Sequence, residues 1–220
     1  RRMSGGLDQG GRAAVIVYST VMSAYVALSI PIVADAQGSP PYGLALLAGA
    51  PVGLLSSIYL TRNRQVTATQ ADLYTLAGNW GLFHGLAFGV IANGQGKDVA
   101  GSAALGGLLG VGMGAMLAAP GNNRESSVSL AGLGTTYGAW LGLVGAELIT
   151  GGDSGPSDNR AFAGMLVGGD VSLVGSVLVG PHVTLSRSRS RLIGVGGTAG
   201  ALIGLGFNLL FDVNDRRAAW

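Results

Sequence analysis

Seven stretches rich in leucine, valine, alanine and glycine alternate along the chain with short polar breaks. The pattern predicts helices over residues 11–34, 41–61, 67–93, 98–119, 126–150, 158–180 and 188–211. Each predicted helix can cross about 30 Å of hydrocarbon, because an α-helix rises 1.5 Å per residue. Breaks such as DAQGSPP and PGNNRES supply the proline, glycine and capping residues that end one helix and begin the next. We therefore predict an all-α protein with about seven transmembrane helices.

Composition supports the membrane assignment. Charged residues make up 11% of the 220 residues, whereas a soluble domain carries about 25%. A soluble α-helical bundle remains an alternative, as does a β-barrel. Barrel strands alternate apolar and polar residues over about 10 positions, and runs such as GGLLGVGMGAMLAA do not. The chain has no cysteine, which excludes disulfides, thiol catalysis and zinc–thiolate sites.

Small residues recur four positions apart, in register between segments about 60 residues apart. The first, third, fifth and seventh predicted helices carry the pairs Ser19/Ser23, Gly81/Gly85, Gly138/Gly142 and Gly200/Gly204. The second, fourth and sixth carry triplets: Gly49/Gly53/Ser57, Gly110/Gly114/Ala118 and Gly168/Ser172/Ser176. This register predicts one transmembrane domain over 1–220, built from helical hairpins at 11–61, 67–119 and 126–180 plus the helix 188–211.

The recurring glycines predict the faces on which these helices pack. Residues four apart lie on one helix face, and small residues there let two backbones approach closely. Such packing is a main attraction between helices in lipid, where the hydrophobic effect does not drive them together. The predicted helix-packing residues are Gly49, Gly53, Gly81, Gly85, Gly110, Gly114, Gly138, Gly142, Gly200 and Gly204.

Charge is distributed unequally between the two sides that seven spans would create. At or beside the helix ends, the N-terminal side carries Arg1, Arg2, Arg12, Arg62, Arg64, Arg124, Arg187, Arg189 and Arg191, against Asp8 and Glu125. The other side carries Lys97, Arg160, Arg216 and Arg217, against Asp35, Asp98, Asp153, Asp158, Asp212 and Asp215. In an inner membrane this bias would place the N-terminus in the cytoplasm. Because most of the helices are only mildly hydrophobic, an outer-membrane location is an equal alternative.

The run VTATQADLYTLAGNWGLFHGL, residues 66–86, resembles glycine-zipper helical hairpins at the ends of large exported proteins of predatory and gliding Gram-negative bacteria. A fainter similarity covers residues 126–142. The resemblance implies a bacterial cell-envelope setting and no particular activity. Because the chain opens with Arg-Arg-Met, we also expect it to be a processed product or part of a longer protein.

Three polar residues inside the predicted spans are candidates for a solute or proton path: Asp170, His84 and Asn79. A structural role for each is the competing interpretation, namely a hydrogen bond between or within helices. The second histidine, His182, follows a proline in a break and offers no paired ligand, so we expect no metal site and no cofactor. The chain carries no nucleophile elbow, phosphate-binding loop after a strand or other catalytic motif, so we expect a non-enzymatic protein.

The expected function is a structural or scaffold subunit of a membrane, packed through glycine faces into a bundle or an oligomeric envelope complex. Its expected partners are the lipid bilayer and either further copies of itself or other subunits of a membrane complex. No basic cluster suggests nucleic-acid binding. A channel or transporter lined by the three polar residues is the alternative hypothesis.

Overall fold

Seven α-helices make up the protein in the computed structural model, which describes residues 9–119, 123–150 and 158–210. No strand occurs within these residues, so the predicted all-α class is confirmed. The helices are α1 (Gln9–Val33), α2 (Pro40–Thr61), α3 (Ala68–Ile91), α4 (Gly96–Ala118), α5 (Glu125–Thr150), α6 (Asp158–Val179) and α7 (Arg187–Leu210). A short 3₁₀ turn, Gly180–His182, follows α6. The observed helix ends lie within about two residues of those predicted.

Local side-chain chemistry fixes several of these ends. Thr67 and Gln70 form a capping box at the start of α3: the Gln70 backbone N–H donates to Thr67 Oγ1 at 3.2 Å, and the Thr67 N–H donates to Gln70 Oε1 at 2.8 Å. The left-handed residues Asp35 (φ 54°) and Asn93 (φ 57°) follow α1 and α3. Asp and Asn adopt this conformation more easily than other non-glycine residues, so both positions are natural helix stops.

Four helical segments are long and apolar enough to cross a membrane: Gly10–Val33, Pro40–Thr61, Gly96–Ala118 and Asn159–His182. They cover α1, α2, α4 and α6. The helices α3, α5 and α7 have similar lengths but are not among these four segments. The helix α3 carries Asp72, Asn79 and His84.

The described residues fall into two compact units, divided between Asn123 and Arg124. In unit 1, α3 and α4 form an antiparallel hairpin, and α1 packs against both of these helices. The helix α2 runs antiparallel to α1 and, within the described residues, packs on α1 alone. In unit 2, α5 and α6 form an antiparallel hairpin, and α7 packs on α5.

Side-chain size is distributed in the reverse of the usual order. The buried apolar residues are mostly alanines, and Thr135 is the largest fully buried side chain among the described residues. Leucine, isoleucine and valine point outward instead: Leu47 is 75% exposed and Leu109 is 73% exposed. A water-soluble bundle would bury these large side chains, because each contributes about 1.5–3 kcal/mol on burial. The fold therefore has a core of small residues and a broad apolar outer surface.

Candidate functional site

The crossing of α3 and α4 brings two glycine pairs into backbone contact. A Cβ atom at Gly81 would lie 2.7 Å from the Cα atom of Gly110, and one at Gly106 would lie 2.8 Å from the Cα atom of Gly85. Real Cβ atoms essentially never approach another heavy atom within 3.0 Å. Only glycine therefore fits these four positions at the present helix separation.

This close approach continues along the hairpin in both directions. A Cβ atom at Gly114 would lie 3.0 Å from both the Cα atom of Tyr74 and the Cβ atom of Ala77. Toward the other end, a Cβ atom at Gly89 would lie 2.9 Å from the Cα atom of Val99. The two helices are thus held close together from the start of α4 to its end.

The crossing of α5 and α6 repeats this geometry within unit 2. A Cβ atom at Gly168 would lie 2.7 Å from the Cα atom of Gly142 and would overlap the carbonyl oxygen of Gly138. A Cβ atom at Gly164 would lie 3.1 Å from the carbonyl carbon of Gly142. Two glycine pairs, each spaced four residues apart, again meet face to face.

The crossing of α1 and α2 uses glycine on one side only. A Cβ atom at Gly49 would lie 3.0 Å from the carbonyl oxygen of Ser23, and one at Gly53 would lie 3.0 Å from the Cα atom of Thr20. Serine and alanine replace glycine on α1, and Ala27 faces Gly49. The contact is therefore close, but its α1 side is built from small side chains.

Within the described residues of unit 2, a Cβ atom placed at Gly200 or Gly204 on α7 would meet no atom of another helix within 4 Å. The helix instead meets α5 through Gly197, where a Cβ atom would lie 2.6 Å from Cζ of Tyr137. The Tyr137 hydroxyl donates to the backbone oxygen of Ile193 at 2.9 Å. The predicted packing glycines of α7 thus lie on a face that carries no other helix within the described residues of unit 2.

A second tyrosine makes the matching contact in unit 1. A Cβ atom at Gly78 would lie 2.9 Å from Cε1 of Tyr18, and the Tyr18 hydroxyl donates to Asn79 Oδ1 at 2.9 Å. The tyrosines at 18 and 137 are 119 positions apart, and so are the glycines at 78 and 197. Each tyrosine lies over a glycine on the next odd-numbered helix.

The three candidate path residues lie in different local settings. Asn79 accepts the hydrogen bond from Tyr18 described above. His84 Nδ1 lies 2.9 Å from the backbone oxygen of Trp80, and its ring makes an edge contact with the Trp80 ring at 5.1 Å. Asn79 thus takes part in a hydrogen bond between α1 and α3, whereas the contacts of His84 lie within α3. Asp170 lies half-buried on α6, in unit 2.

An apolar cleft of about 770 Å³ lies within unit 1, between α2 and α4, with α1 as its floor. The connection 62–67 and the first turns of α3 close one end. Its apolar lining residues are Val15, Met22, Val26, Leu60, Leu108 and Val111. The sequence pattern did not predict this cleft, because periodicity identifies helix faces and cannot show that α2 and α4 stand apart.

The other residues missed from the sequence are the crossing partners Gly106 and Gly164. Gly106 lies four residues before Gly110, a predicted packing residue, and Gly164 lies four residues before Gly168, the first member of a small-residue triplet. The same spacing rule extended by one turn therefore identifies them. Within the described residues, no group of three His, Asp or Glu side chains is arranged to hold a metal ion. Comparison of the chain with protein-family models, curated proteins and solved structures gives no match.

Proposed function

We propose that this protein is a non-enzymatic scaffold of a bacterial cell-envelope membrane, in which seven transmembrane helices pack through glycine faces. The observation that carries the proposal is the reversed distribution of side-chain size. Small residues fill the helix contacts, while large apolar side chains cover the outside. Water would strongly disfavour so much exposed apolar surface, and soluble proteins rarely expose apolar patches larger than a few hundred Å². A lipid bilayer accommodates it without cost.

The packing geometry supports a scaffold role. Close backbone approach at three successive crossings gives rigid hairpins, which suits an anchor or assembly subunit. The repeated small-residue register and the paired tyrosine–glycine contacts support hairpin repeats of about 60 residues. The open face at Gly200 and Gly204 supports self-association or assembly with other envelope subunits, because the equivalent glycines of α3 and α5 are covered by a neighbouring helix.

The helices α3, α5 and α7 are proposed to span the membrane together with the four apolar segments. The two ends of unit 1 support this proposal. The connection 62–67 carries Arg62 and Arg64, whereas α4 begins at the opposite end beside Lys97 and Asp98. A helix that joins a basic end to a less basic end matches the usual charge bias of a spanning segment.

Single-cysteine labelling tests this topology, and the absence of native cysteine gives each variant one thiol. The variants are Ser39→Cys, Asn63→Cys and Ala92→Cys, which lie at exposed positions in or beside three helix connections. If α3 spans the membrane, a membrane-impermeant thiol reagent labels Ser39→Cys and Ala92→Cys from one side and Asn63→Cys from the other. The protein also stays in the membrane pellet after alkaline carbonate extraction.

Two outcomes contradict the proposal. Labelling of Asn63→Cys and Ala92→Cys from the same side shows that α3 does not cross, which removes the seven-span topology. Release of the protein by carbonate shows that it is not an integral membrane protein. Labelling of each variant in detergent serves as the control. A cysteine that is labelled in detergent but from neither side of a sealed membrane is buried in the membrane.

A further inference from the structure

The shape of the cleft between α2 and α4 limits what can fill it. The cleft follows α4 from Leu108 to Ala119, which is about 17 Å at 1.5 Å per residue. A volume of about 770 Å³ over that length describes an elongated cleft. An extended hydrocarbon chain can lie along a cleft of this length and volume.

The middle of the cleft offers few free hydrogen-bonding groups. On the α2 wall, the hydroxyls of Ser56, Ser57 and Thr61 donate to backbone oxygens of their own helix at 3.3, 2.9 and 2.6 Å. On the floor, Ser19 Oγ and the Tyr74 hydroxyl bond each other at 2.9 Å. The remaining lining is mostly aliphatic. A hydrated ion or polar solute would thus lose its water without compensation, whereas hydrocarbon would not.

The closed end of the cleft is polar and basic. Arg64 and Gln65, both in the connection 62–67, line it. Within the described ranges no hydrogen bond or ion pair engages the Arg64 guanidinium. The same end of unit 1 carries Arg12 and Arg62, with Asp72 near the start of α3 as the opposing carboxylate. Three arginines against one acid leave this end positive, which suits a negatively charged group.

The cleft also opens sideways onto the apolar outer surface. Leu60 on the α2 rim is 68% exposed, and Leu108 on the α4 rim is 48% exposed. Under the proposed function, these two helices face lipid. A bilayer molecule can therefore enter the cleft from the side with its headgroup at the basic membrane surface. Binding sites of 300–1,000 Å³ with mostly apolar walls and a few polar groups are typical for molecules of this size.

From these features we infer that the cleft binds one anionic phospholipid, with an acyl chain between α2 and α4 and the phosphate beside Arg64. This inference rests on the proposed membrane location. Basic pockets between transmembrane helices are known to bind anionic headgroups at the membrane surface. Here the apolar part of the cleft would also recognise the acyl chain. The lipid would fill the gap between α2 and the α3–α4 hairpin and so hold unit 1 together.

The test measures lipid binding by native mass spectrometry on the full chain, extracted from carbonate-washed membranes into mild detergent. The probes are phosphatidylglycerol and phosphatidylcholine with identical acyl chains. We expect one phosphatidylglycerol per chain at concentrations where phosphatidylcholine is not retained. Water-soluble glycerol phosphate should not displace the lipid, because it lacks the acyl chain.

Two variants separate the headgroup and chain contributions, each with a matched control. Arg64→Gln should weaken phosphatidylglycerol binding about fivefold, the effect of one basic residue near a membrane surface. Arg62→Gln, whose native guanidinium lies 4.1 Å over the Tyr59 ring and does not line the cleft, should have a smaller effect. Gly112→Leu should abolish retention by filling the cleft, whereas Gly43→Leu, on the outer surface of α2, should not.

Several results would overturn the inference. Equal retention of the two lipids would show that the cleft does not prefer an anionic headgroup. Equal weakening of binding by Arg64→Gln and Arg62→Gln would show that general surface charge, not Arg64, attracts the lipid. Unchanged lipid binding by a Gly112→Leu variant with a normal helical circular dichroism spectrum would show that the acyl chain does not lie in the cleft. Each of these results leaves the membrane proposal intact if the chain remains in the carbonate-washed pellet, so the two failures are distinguishable.

Discussion

The glycine crossing of α5 and α6 allows a sharp test, because one helix carries both a packed and an unpacked glycine. A Cβ atom at Gly142 would lie 2.8 Å from the carbonyl carbon of Gly164 and 3.0 Å from the Cα atom of Gly168. A Cβ atom at Gly145, one turn further along α5, meets nothing within 4 Å. The variants Gly142→Ala and Gly145→Ala thus add the same methyl group to the same helix in two different environments.

The expected difference follows from contact distances. Carbon atoms attract best at about 3.5–4.0 Å, so alanine at Gly142 pushes the helices apart by roughly 0.5–1 Å. A gap of that size loses about a quarter to a half of each atom-pair attraction along the crossing, and overpacking generally costs about 1–3 kcal/mol. The gain in helix propensity on replacing glycine, up to about 1 kcal/mol, applies to both variants and cancels in their comparison.

We therefore expect Gly142→Ala to be less stable than Gly145→Ala by about 2 kcal/mol. For a chain of this size that difference lowers the thermal midpoint by about 4–8 °C. The measurement is thermal unfolding of the purified protein in mild detergent, followed by the circular dichroism of its helices. Equal midpoints, or a higher midpoint for Gly142→Ala, would refute the claim that backbone contact at this crossing stabilises unit 2.

Two further predictions concern local hydrogen bonds and use the same unfolding assay. Tyr18→Phe removes the bond to Asn79 and should lower the unfolding free energy by about 0.5–1.5 kcal/mol, while an unchanged midpoint would show that the bond contributes nothing. Thr67→Ala removes one half of the capping box with Gln70 and should cost about 1 kcal/mol, whereas Thr67→Ser, which keeps the hydroxyl, should retain most of the native stability.

Helix number and position could be predicted from the sequence because the signals are local. The break DAQGSPP places prolines at the start of α2 and left-handed residues after α1, and the structure uses both. Apolar stretches of membrane-spanning length lie between such breaks. The spacing of small residues likewise identified one helix face at Gly81/Gly85 and another at Gly138/Gly142, because residues four apart share a face in any α-helix.

Partner choice could not be predicted in the same way. Both Gly142 and Gly200 belong to a pair of glycines four residues apart, yet the first is in backbone contact with α6, whereas a Cβ atom placed at the second would meet no other helix of unit 2 within 4 Å among the described residues. The sequence spacing is the same at the two sites. What differs is whether another helix crosses there, and that depends on the arrangement of the whole unit.

The sequence by itself determined the all-helical class, the seven helices and their small-residue faces, since helix formation and capping depend on residues within a few positions of each other. Only the tertiary structure decided which faces meet, where Tyr18 and Tyr137 lie over their glycines, and that α2 packs on α1 while standing apart from α4. The physical reason is that close packing depends on the position and angle at which two helices cross. Those quantities are set by all the contacts of a unit together, and the cleft beside Arg64 is their consequence.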